Sequence, residues 1–477
     1  NPLPLPPYIG AGGTLRTGDT VEDLTAVMSY SFGNYELHPV AEVNFTRVNT
    51  RLGPPTVGGG VRVASYNVLN YFTTLDDSGP ICGPGSDLGC RGADNAAEFA
   101  LQHEKLVTAI TKLDAHVIGI IEIENNSTDF PISNLVDGLN ATTAPGTYAY
   151  LPTGPIGTDA IRVGLIYQPA SVTPFGPFAV LDSSVDPLFI DDKNRPVLAQ
   201  SFSENTSGAI FTVAVNHLKS KGSPCDDVGD PDAGDGQGNC SGVRTAAAAA
   251  LVDWLATDPT GSDSADFLII GDLNAYAQED PVTTIEADGY VDLIELFEGT
   301  GIADGAYSFN FSSESGYLDH ALSSPGMLSH VTDAGIWHIN ADEPRALDYN
   351  DFNQPALQNG DEFRSSDHDP LVVGLFHDSD GDGVIDLADN CPATVIPESV
   401  PTSGELNPNH WALTDNDFDF DTVIKGKGKG PGRSYSTADT AGCSCEQIIE
   451  AQGLGNGHSK HGCSIGVMDD WVELVTP

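Results

Sequence analysis

The sequence predicts a layered α/β fold over residues 61–376. Continuous apolar runs, of the kind found in strands that are buried on both faces, recur through this region. Segments with helical periodicity separate several of these runs, which is typical of helices packed on a sheet. The 477-residue chain is 40% hydrophobic, so a sizeable core is available, and its length predicts roughly two to four domains.

A β-rich segment, residues 1–55, precedes this fold. Apolar and polar residues alternate over 21–30 and 35–43, which predicts short strands between Gly- and Pro-rich turns. The run Gly-Pro-Pro-Thr-Val-Gly-Gly-Gly at 53–60 predicts a linker. The α/β region is therefore expected to begin at Val61.

The elements of the α/β region follow in chain order. Phe99, Leu106 and Ile110 share one face of a predicted helix over 96–113. An Ala-rich helix is predicted over 244–255. The predicted buried strands are 61–68, 117–123, 161–167, 209–216, 267–270 and 371–376.

The composition changes after residue 376. Residues 378–392 form an acidic loop, and residues 393–477 are Gly-rich with a basic run at 425–433. We expect this run to be a flexible linker, and contact with a nucleic-acid backbone is the alternative. The predicted regions are therefore 1–55, 61–376, 378–392 and 393–477.

The eight cysteines predict disulfides and an oxidising compartment. The pairs 82/90 and 225/240 each enclose a Gly- and Asp-rich loop with little core of its own, which a disulfide would stabilise. The tight spacing in Cys443-Ser-Cys445 is wrong for a zinc site. We expect a secreted protein, extracellular or periplasmic. The sequence leaves open the pairing of Cys391, Cys443, Cys445 and Cys463.

The charge of the chain is extreme, with 68 Asp and Glu against 20 Lys and Arg, a formal net charge of −48. Such a balance predicts a hydrated, soluble surface suited to saline surroundings, and it also favours calcium binding. No apolar run approaches the roughly 18 residues that a membrane-spanning helix needs. We expect a monomer with no membrane span.

Six polar motifs lie at or near the ends of the predicted strands, where function gathers in α/β sheets. Each motif alone is explained by a turn, a helix cap or a buried structural histidine. Their occurrence in this order predicts one shared site. The motifs are 65–67 (Ser-Tyr-Asn), 120–125 (Ile-Ile-Glu-Ile-Glu-Asn), 216–219 (Asn-His-Leu-Lys), 271–274 (Gly-Asp-Leu-Asn), 317–320 (Tyr-Leu-Asp-His) and 366–370 (Ser-Asp-His-Asp-Pro).

The side chains of these motifs fit the hydrolysis of a phosphodiester. That reaction needs a water nucleophile, charge compensation on the phosphoryl oxygens and a proton for the leaving oxygen. Carboxylates hold Mg²⁺-like ions, and a histidine oriented by a carboxylate moves protons near neutral pH. The set supplies the carboxylates Glu122, Asp272 and Asp367, the amides Asn67 and Asn274, the histidines His217 and His368, and Asp319 as a candidate orienting group.

This set resembles the endonuclease/exonuclease/phosphatase superfamily over residues 61–376. It is most similar to bacterial extracellular nucleases at 119–125, 235–240, 271–276 and 316–321. The resemblance implies a four-layer α/β sandwich of the deoxyribonuclease I-like kind. It also implies that residues 1–52 are the end of an OB-like segment, a small β-rich remnant before the catalytic domain.

The resemblance implies a metal site for Mg²⁺ or Mn²⁺. Glu122 would be its main ligand, helped by Asn67 and Asp367. Glu124 is an alternative, because strand alternation places it on the same face as Glu122. We favour Glu122, because the buried strand that precedes it matches the pattern of the family.

The resemblance also implies catalytic roles. His217 and His368 would flank the scissile phosphate as acid and base, with Asp319 holding His368. Asp272 and Asn274 would position the water and the phosphate.

Four cations beside the motifs are expected to contact substrate phosphate. Asn194-Arg-Pro resembles the phosphate-contacting arginine of the family. Asp159 is a candidate for orienting His217, and His320 stands where many relatives carry arginine. The four cations are Arg162, Arg195, Lys219 and Arg244.

The acidic loop has the spacing of a calcium site. Oxygen donors fall at positions 1, 3, 5, 9 and 12 counted from residue 378, with glycine at 6 and a backbone carbonyl at 7. Because position 12 is Asp followed by Asn-Cys-Pro, the loop resembles a thrombospondin type 3 repeat more than an EF-hand. We expect Ca²⁺ in a structural role, and a solvated acidic linker is the alternative. The donors would be Asp378, Asp380, Asp382, Val384, Asp386 and Asp389.

The sequence as a whole predicts a secreted, metal-dependent endonuclease of little sequence specificity, acting on DNA and, as an open alternative, RNA. A phosphatase or phospholipase C-type esterase would need an inositol- or head-group-binding insert, which we do not find. A calcium-dependent adhesion protein would have an incomplete catalytic set. Because basic residues are few, we expect activity to tolerate salt.

Overall fold

The computed structural model describes residues 14–475 except 32, 78, 313, 351–354, 377, 379, 387, 424–432 and 456. Nearly all of the predicted basic linker at 425–433 therefore lies outside the described residues. No helix among the residues described combines the length and the hydropathy needed to span a membrane.

The strands begin and end as follows, in chain order: β1 (Thr20–Val21), β2 (Ala26–Ser31), β3 (Asn34–Pro39), β4 (Phe45–Thr46), β5 (Val61–Tyr71), β6 (Val117–Glu124), β7 (Ala149–Tyr150), β8 (Ile161–Tyr167), β9 (Val172–Leu181), β10 (Arg195–Glu204), β11 (Ile210–His217), β12 (Phe267–Asp272), β13 (Val291–Asp292), β14 (Phe309–Phe311), β15 (Glu314–Gly316), β16 (Asp319–Ser323), β17 (Val331–Ile336), β18 (Leu371–Leu375), β19 (His410–Ala412), β20 (Asp421–Thr422) and β21 (Cys463–Ser464). The α-helices are α1 (Ala96–Leu113), α2 (Phe130–Thr142), α3 (Ser241–Leu255), α4 (Asp280–Ala287), α5 (Leu293–Glu298), α6 (Pro325–Leu328), α7 (Cys445–Ala451) and α8 (Ile465–Val475).

Two six-stranded sheets build the α/β fold. Their strand orders are β17-β18-β5-β6-β8-β7 and β13-β16-β12-β11-β10-β9. The facing sides of the sheets share one apolar core, which includes Ile121, Val163, Val215 and Ile270. Helices α1 and α2 pack on the outer face of the first sheet, and α3 and α4 on that of the second. The predicted four-layer α/β sandwich is confirmed.

The six predicted buried strands are all formed, but the edge of the second sheet escaped prediction. Strand β9 contains Pro and Gly and is largely exposed along its middle. Such residues are tolerated in edge strands and weaken the pattern that sequence analysis relies on. The adjoining β10 is buried along nearly its whole length, as an inner strand should be.

The strand directions bring the predicted motifs to one edge of the sandwich. The pairs β5–β6 and β11–β12 run parallel, so their carboxyl ends lie together. The antiparallel neighbours start where these strands end, because Arg195 pairs with His217 and Asp319 pairs with Asp272. Polar residues from both sheets therefore meet at this edge.

All eight cysteines form disulfides. Two of them, Cys82–Cys90 and Cys225–Cys240, close the predicted loops. The tail contains Cys391–Cys443 and Cys445–Cys463, the pairing that the sequence left open. The tail also has an apolar core of its own around Trp411, Tyr435, Met468 and Trp471.

The N-terminal segment contributes two small ribbons, β1–β4 and β2–β3. The hairpin β2–β3 is largely exposed. The segment is held to the sandwich by Arg16 and Arg51, which form ion pairs with Glu343 at 3.0 and 2.8 Å. The OB-like origin of this segment and the four-region division of the chain stay predictions.

Candidate active site

The carboxylate of Asp272 lies at the centre of the site. It is 2% exposed at the end of β12. Its Oδ2 lies 3.6 Å from Nε2 of His217, 3.9 Å from Nε2 of His368 and 3.4 Å from Nδ2 of Asn67. Burial raises the pKa of Asp272, whereas the positive charge of His368 lowers it. The predicted histidines therefore share one carboxylate oxygen as a neighbour.

A hydrogen-bonded series orients His368. Its Nδ1 lies 2.7 Å from Oδ2 of Asp319, and the hydroxyl of Ser308 donates to the same oxygen at 2.6 Å. The Phe309 ring stacks on the imidazole with ring centroids 4.5 Å apart. Although burial lowers the pKa of His368, the charges of Asp319 and Asp272 raise it well above its usual value. The two carboxylates therefore favour the protonated form of this histidine.

His217 has the opposite character. Burial lowers its pKa well below the usual value, and the nearby positive charges of Arg195 and His368 lower it further. Its Nδ1 is buried and has no hydrogen-bond partner among the residues described. Asp159, the predicted orienting group, instead binds Arg91 and Arg195 at 2.5 and 2.9 Å, so that prediction is wrong.

The structure distinguishes the two candidate metal-ligating glutamates. The ladder between β6 and β8 shifts register between Ile120 and Ile123, and Glu122 has a positive φ of 67°. This irregularity breaks the strand alternation that would place Glu122 and Glu124 on one face. Glu122 reaches the site, with Oε1 3.8 Å from Nε2 of His217.

Glu124 turns away from the site. It is fully buried and accepts hydrogen bonds from the backbone and hydroxyl groups of Thr73 and Thr74. Its carboxylate therefore holds the loop after β5.

The carboxylates Glu122 and Asp367 suit a divalent cation. Burial raises the pKa of Glu122 and the negative charge of Asp367 raises it further, whereas the positive charges of His368 and Arg195 oppose this shift. Mg²⁺ is held by one or two carboxylates, with water and substrate oxygens completing its shell. Asn67 is less free, because its Oδ1 already accepts a hydrogen bond from the Leu69 amide at 3.1 Å.

Asn274 supports the site from the loop after β12. Its backbone amide donates to Oδ1 of Asp272 at 2.8 Å, and its Nδ2 donates to the carbonyl of Leu218 at 3.0 Å. It thus links the Asp272 carboxylate to the chain that follows His217.

Two of the predicted phosphate contacts need correction. Arg162 is fully buried and bonds to Asp129 and Thr153 at 2.9 and 2.8 Å. Arg244 is also fully buried and donates to the backbone carbonyls of Lys219, Gln237 and Asn239. Each guanidinium is taken up by structural contacts, so neither is presented to a substrate.

The other two predicted cations, Arg195 and Lys219, line a cavity of about 440 Å³. Nη1 of Arg195 is buried there without a hydrogen-bond partner among the described residues. Burial lowers the pKa of Lys219, and the nearby charge of Arg195 lowers it further. Arg91 and Lys193, which the sequence did not single out, line the same cavity. We name these four cations the cationic pocket.

His320, which departs from the family pattern, has a structural role. It is fully buried, with Nδ1 3.0 Å from Asp292 and Nε2 2.8 Å from the carbonyl of Ala275. Ser308 and Phe309 escaped prediction because they lie at the start of the short strand β14, which carries no motif of its own.

The acidic loop after the sandwich gathers carboxylates as its spacing predicts. Ligand oxygens of Asp378, Asp380 and Asp382 lie within 4.8 Å of one another. Asp382 is fully buried, and its Oδ2 has no hydrogen-bond partner in the described part of the chain. Burial raises the pKa of Asp382 to about 7, and the charges of Asp380 and Asp389 add to this effect. The arrangement fits a hard divalent cation.

Comparisons with known proteins identify the family of the chain. Residues 64–368 match the family model described as Endonuclease/Exonuclease/phosphatase family. No curated protein matches the chain. Three solved structures are similar to the chain at low sequence identity.

The first is an endonuclease/exonuclease/phosphatase family protein from Bacteroides thetaiotaomicron, with 16% identity, 66% of this chain and 96% of that chain covered, and a TM-score of 0.42. The second is a mannosyl-6-phosphatase from the same organism, with 14% identity and a TM-score of 0.42; the match covers 66% of this chain and 100% of that chain. The third is TDP2 of D. rerio, complexed with single strand DNA product, with 12% identity and a TM-score of 0.41; the match covers 66% of this chain and 97% of that chain.

Proposed function

Because this chain belongs to the endonuclease/exonuclease/phosphatase family, we propose that it is a divalent-metal-dependent endonuclease that hydrolyses phosphodiester bonds of DNA with little sequence specificity. RNA is a second candidate substrate. One observation carries the proposal: Oδ2 of Asp272 lies within 3.9 Å of the Nε2 atoms of two histidines with oppositely shifted pKa values. Such a pair provides a base and an acid at one phosphate.

The residues divide the chemistry between them. His217 is neutral and accepts a proton from the attacking water, whereas protonated His368 stabilises a phosphoryl oxygen and donates a proton to the leaving oxygen. Asp319 keeps His368 oriented and charged. When Mg²⁺ or Mn²⁺ is bound by Glu122 and Asp367 with Asn67, it supplies further charge compensation on the phosphoryl oxygens.

The cationic pocket supports a polyanionic substrate. Arg195 influences the pKa of both His217 and Glu122, so the pocket adjoins the site. The cavity is lined by these four cations and by three aspartates, Asp159, Asp191 and Asp192. In a chain with a net charge of −48, this local excess of positive charge beside the catalytic histidine favours a neighbouring backbone phosphate. Arg195 and Lys219 are the proposed contacts.

The small number of these cations leads to an expected salt response. Each phosphate contact contributes about one unit to the slope of log affinity against log salt. We expect cleavage by the wild type to persist at salt levels that inhibit basic nucleases. We expect Lys219→Met to reduce the slope of log affinity against log salt by about one. Initial rates measured over a range of KCl concentrations test this. An activity optimum at very low salt with a steep decline above it would count against the proposal.

Two further features suit an extracellular nuclease. The four disulfides persist in oxidising compartments, and the acidic surface suits saline surroundings. We propose a secreted location on these grounds. We also propose Ca²⁺ in the loop 378–389, supported by the buried oxygen of Asp382 that lacks a partner.

Cleavage of supercoiled plasmid tests the proposed function. With Mg²⁺, the wild type should nick and then linearise the plasmid, and EDTA should abolish cutting. His217→Ala and His368→Ala should each slow cleavage about a hundredfold or more, because each removes a proton-transfer group. His38→Ala, an exposed histidine on the β2–β3 hairpin, is the matched control and should cut normally. Undiminished cutting by both active-site variants would rule out this mechanism.

A further inference from the structure

We propose that the β14–β15 hairpin binds a nucleobase of the substrate beside the catalytic histidine. The surface consists of Phe309, Phe311 and Tyr276, which we name the aromatic ledge. This inference rests on the proposed nuclease function. The part of the substrate that the ledge contacts is an unpaired base next to the scissile phosphate.

The inner end of the ledge touches the catalytic machinery. The ring centroids of Phe309 and His368 are 4.5 Å apart and their planes are inclined by 30°. Phe311, two residues along β14, projects from the same face as Phe309, because strand side chains alternate. The Phe309 and Phe311 rings are nearly parallel, at 9°, with centroids 6.5 Å apart. An aromatic row therefore leads outward from His368.

Tyr276 lies on the same face of the hairpin. Gly316 is the cross-strand partner of Phe309, and directly opposed residues share a face. A Cβ at Gly316 would lie 2.8 Å from two ring carbons of Tyr276, so glycine allows this ring to lie against the hairpin. The negative charge of Asp272 contributes to a raised pKa of Tyr276, after burial and two glutamates. Tyr276 therefore connects the hairpin to the loop that follows β12 and its catalytic Asp272.

The outer end of the ledge is open to a ligand. Phe311 is 66% exposed, the highest exposure of any phenylalanine in the described part of the chain. Its ring contributes little to the apolar cores of the fold. A single exposed aromatic residue is common on protein surfaces. This one differs because its ring is aligned with a row that ends on the proposed general acid.

The ledge is chemically matched to a base rather than to a phosphate. Every nucleobase has a π-face, and stacking on an aromatic side chain tolerates any sequence. That property agrees with a nuclease of little sequence specificity. A base can offer its face only when it is unpaired or displaced from the helix stack, so the ledge favours single-stranded substrates over intact duplex.

Cleavage of two oligonucleotides of equal length tests the ledge. One is a single-stranded run of thymidine, and the other is a run of abasic tetrahydrofuran residues with the same phosphates. For the wild type, kcat/KM should be higher on the thymidine run by roughly five- to hundredfold, the range expected for one stacked base. Phe311→Ala should bring this ratio close to one, and Phe311→Trp should retain it.

Controls separate stacking from folding. Phe175→Ala removes another exposed phenylalanine, 39% exposed, from the edge strand β9. Its strand partner Ser201 lies six residues along β10 from Arg195, about 20 Å from the site edge. This variant should keep the wild-type ratio. Melting temperatures of all variants should agree within a few degrees.

The outcomes distinguish the ledge from the proposed function. If the wild type cuts neither oligonucleotide and also leaves supercoiled plasmid intact, the nuclease proposal fails and the ledge fails with it. If the wild type cuts the plasmid but neither oligonucleotide, only the ledge is overturned. If the wild type cuts the thymidine run and Phe311→Ala leaves the ratio unchanged, only the ledge is overturned. An equal loss for Phe311→Ala on intact duplex and on the thymidine run would also overturn it, because the ring would then contact sugars in a groove.

Discussion

Asp319→Asn is expected to lower kcat on DNA by about a hundred- to ten-thousandfold, the contribution of a positioned acid. The carboxylate lies 2.7 Å from Nδ1 of His368 and helps to hold the imidazole in its charged form. An amide at this position keeps the shape but removes the negative charge. It can also donate a hydrogen bond to Nδ1, which removes the acceptor that fixes the imidazole orientation. Substrate binding should change little, because Asp319 is 1% exposed behind the histidine.

Single-turnover rates and melting temperatures measure this effect separately from folding. Ser308→Ala is the matched control, because it removes the 2.6 Å hydrogen bond to the same Asp319 oxygen but leaves the charge in place. It also removes the longer hydrogen bonds that Ser308 Oγ accepts from the amides of Leu318 and Asp319. Its kcat should fall by less than about tenfold, because only one of these bonds reaches the carboxylate. If Asp319→Asn slowed cleavage no more than Ser308→Ala does, at an unchanged melting temperature, Asp319 would not be the orienting group.

Removal of calcium is expected to lower the melting temperature of the wild type by roughly 5–15 °C. A ligand present at about 100 to 1,000 times its Kd stabilises a protein by about 3–4 kcal/mol, and each kcal/mol shifts the melting temperature of a chain of this class by about 2–4 °C. Without a cation, Oδ1 of Asp380 and Oδ2 of Asp382 are buried and have no hydrogen-bond partner among the described residues. Their mutual repulsion then opposes folding.

The position of the loop 378–389 explains why loss of calcium should destabilise more than the loop itself. Ile385 packs into the core between the two sheets, where it contacts Gly60 closely. On the other side, the Thr394 amide donates to Asp380 at 2.6 Å and the Thr394 hydroxyl donates to the carbonyl of Gly442 at 2.5 Å. The loop thus joins the sandwich to the disulfide-bonded tail.

Thermal unfolding with EGTA or with added Ca²⁺ measures this contribution. Asp382→Asn should melt early in both conditions and should lose the response to EGTA. The matched control is Asp415→Asn in the exposed stretch 414–419, which should behave as the wild type. An EGTA response that Asp382→Asn retains in full would place the calcium site elsewhere.

The sequence predicted the parts of the fold that hydrophobic patterning controls. Buried strands such as those at 117–121 and 267–270 consist of uninterrupted runs without polar residues, and the polar residues that follow them mark one edge of the sandwich. That is why His217, Asp272 and Asp319, which are distant in sequence, could be assigned to one site.

Sequence patterning could not predict features that depend on local backbone irregularities or on long-range partners. The bulge at Glu122 decides which glutamate faces the site. Strand alternation alone would place Glu122 and Glu124 on the same face. Arg162 and Arg195 are both cations beside motifs, yet only Arg195 lines the cavity, because Asp129 binds Arg162. The partner of a charged side chain depends on the fold, and residue type alone does not reveal it.

The most direct test of the central claim uses circular single-stranded DNA, which has no ends for an exonuclease or a phosphatase. With Mg²⁺, the wild type should convert the circle to a linear form and then to fragments, and it should release no phosphate from a phosphomonoester at a comparable rate. Asp272→Asn, which alters the carboxylate shared by His217 and His368, should leave the circle intact over the same time. An intact circle together with rapid release of phosphate from the monoester would contradict the account and identify the site as that of a phosphatase.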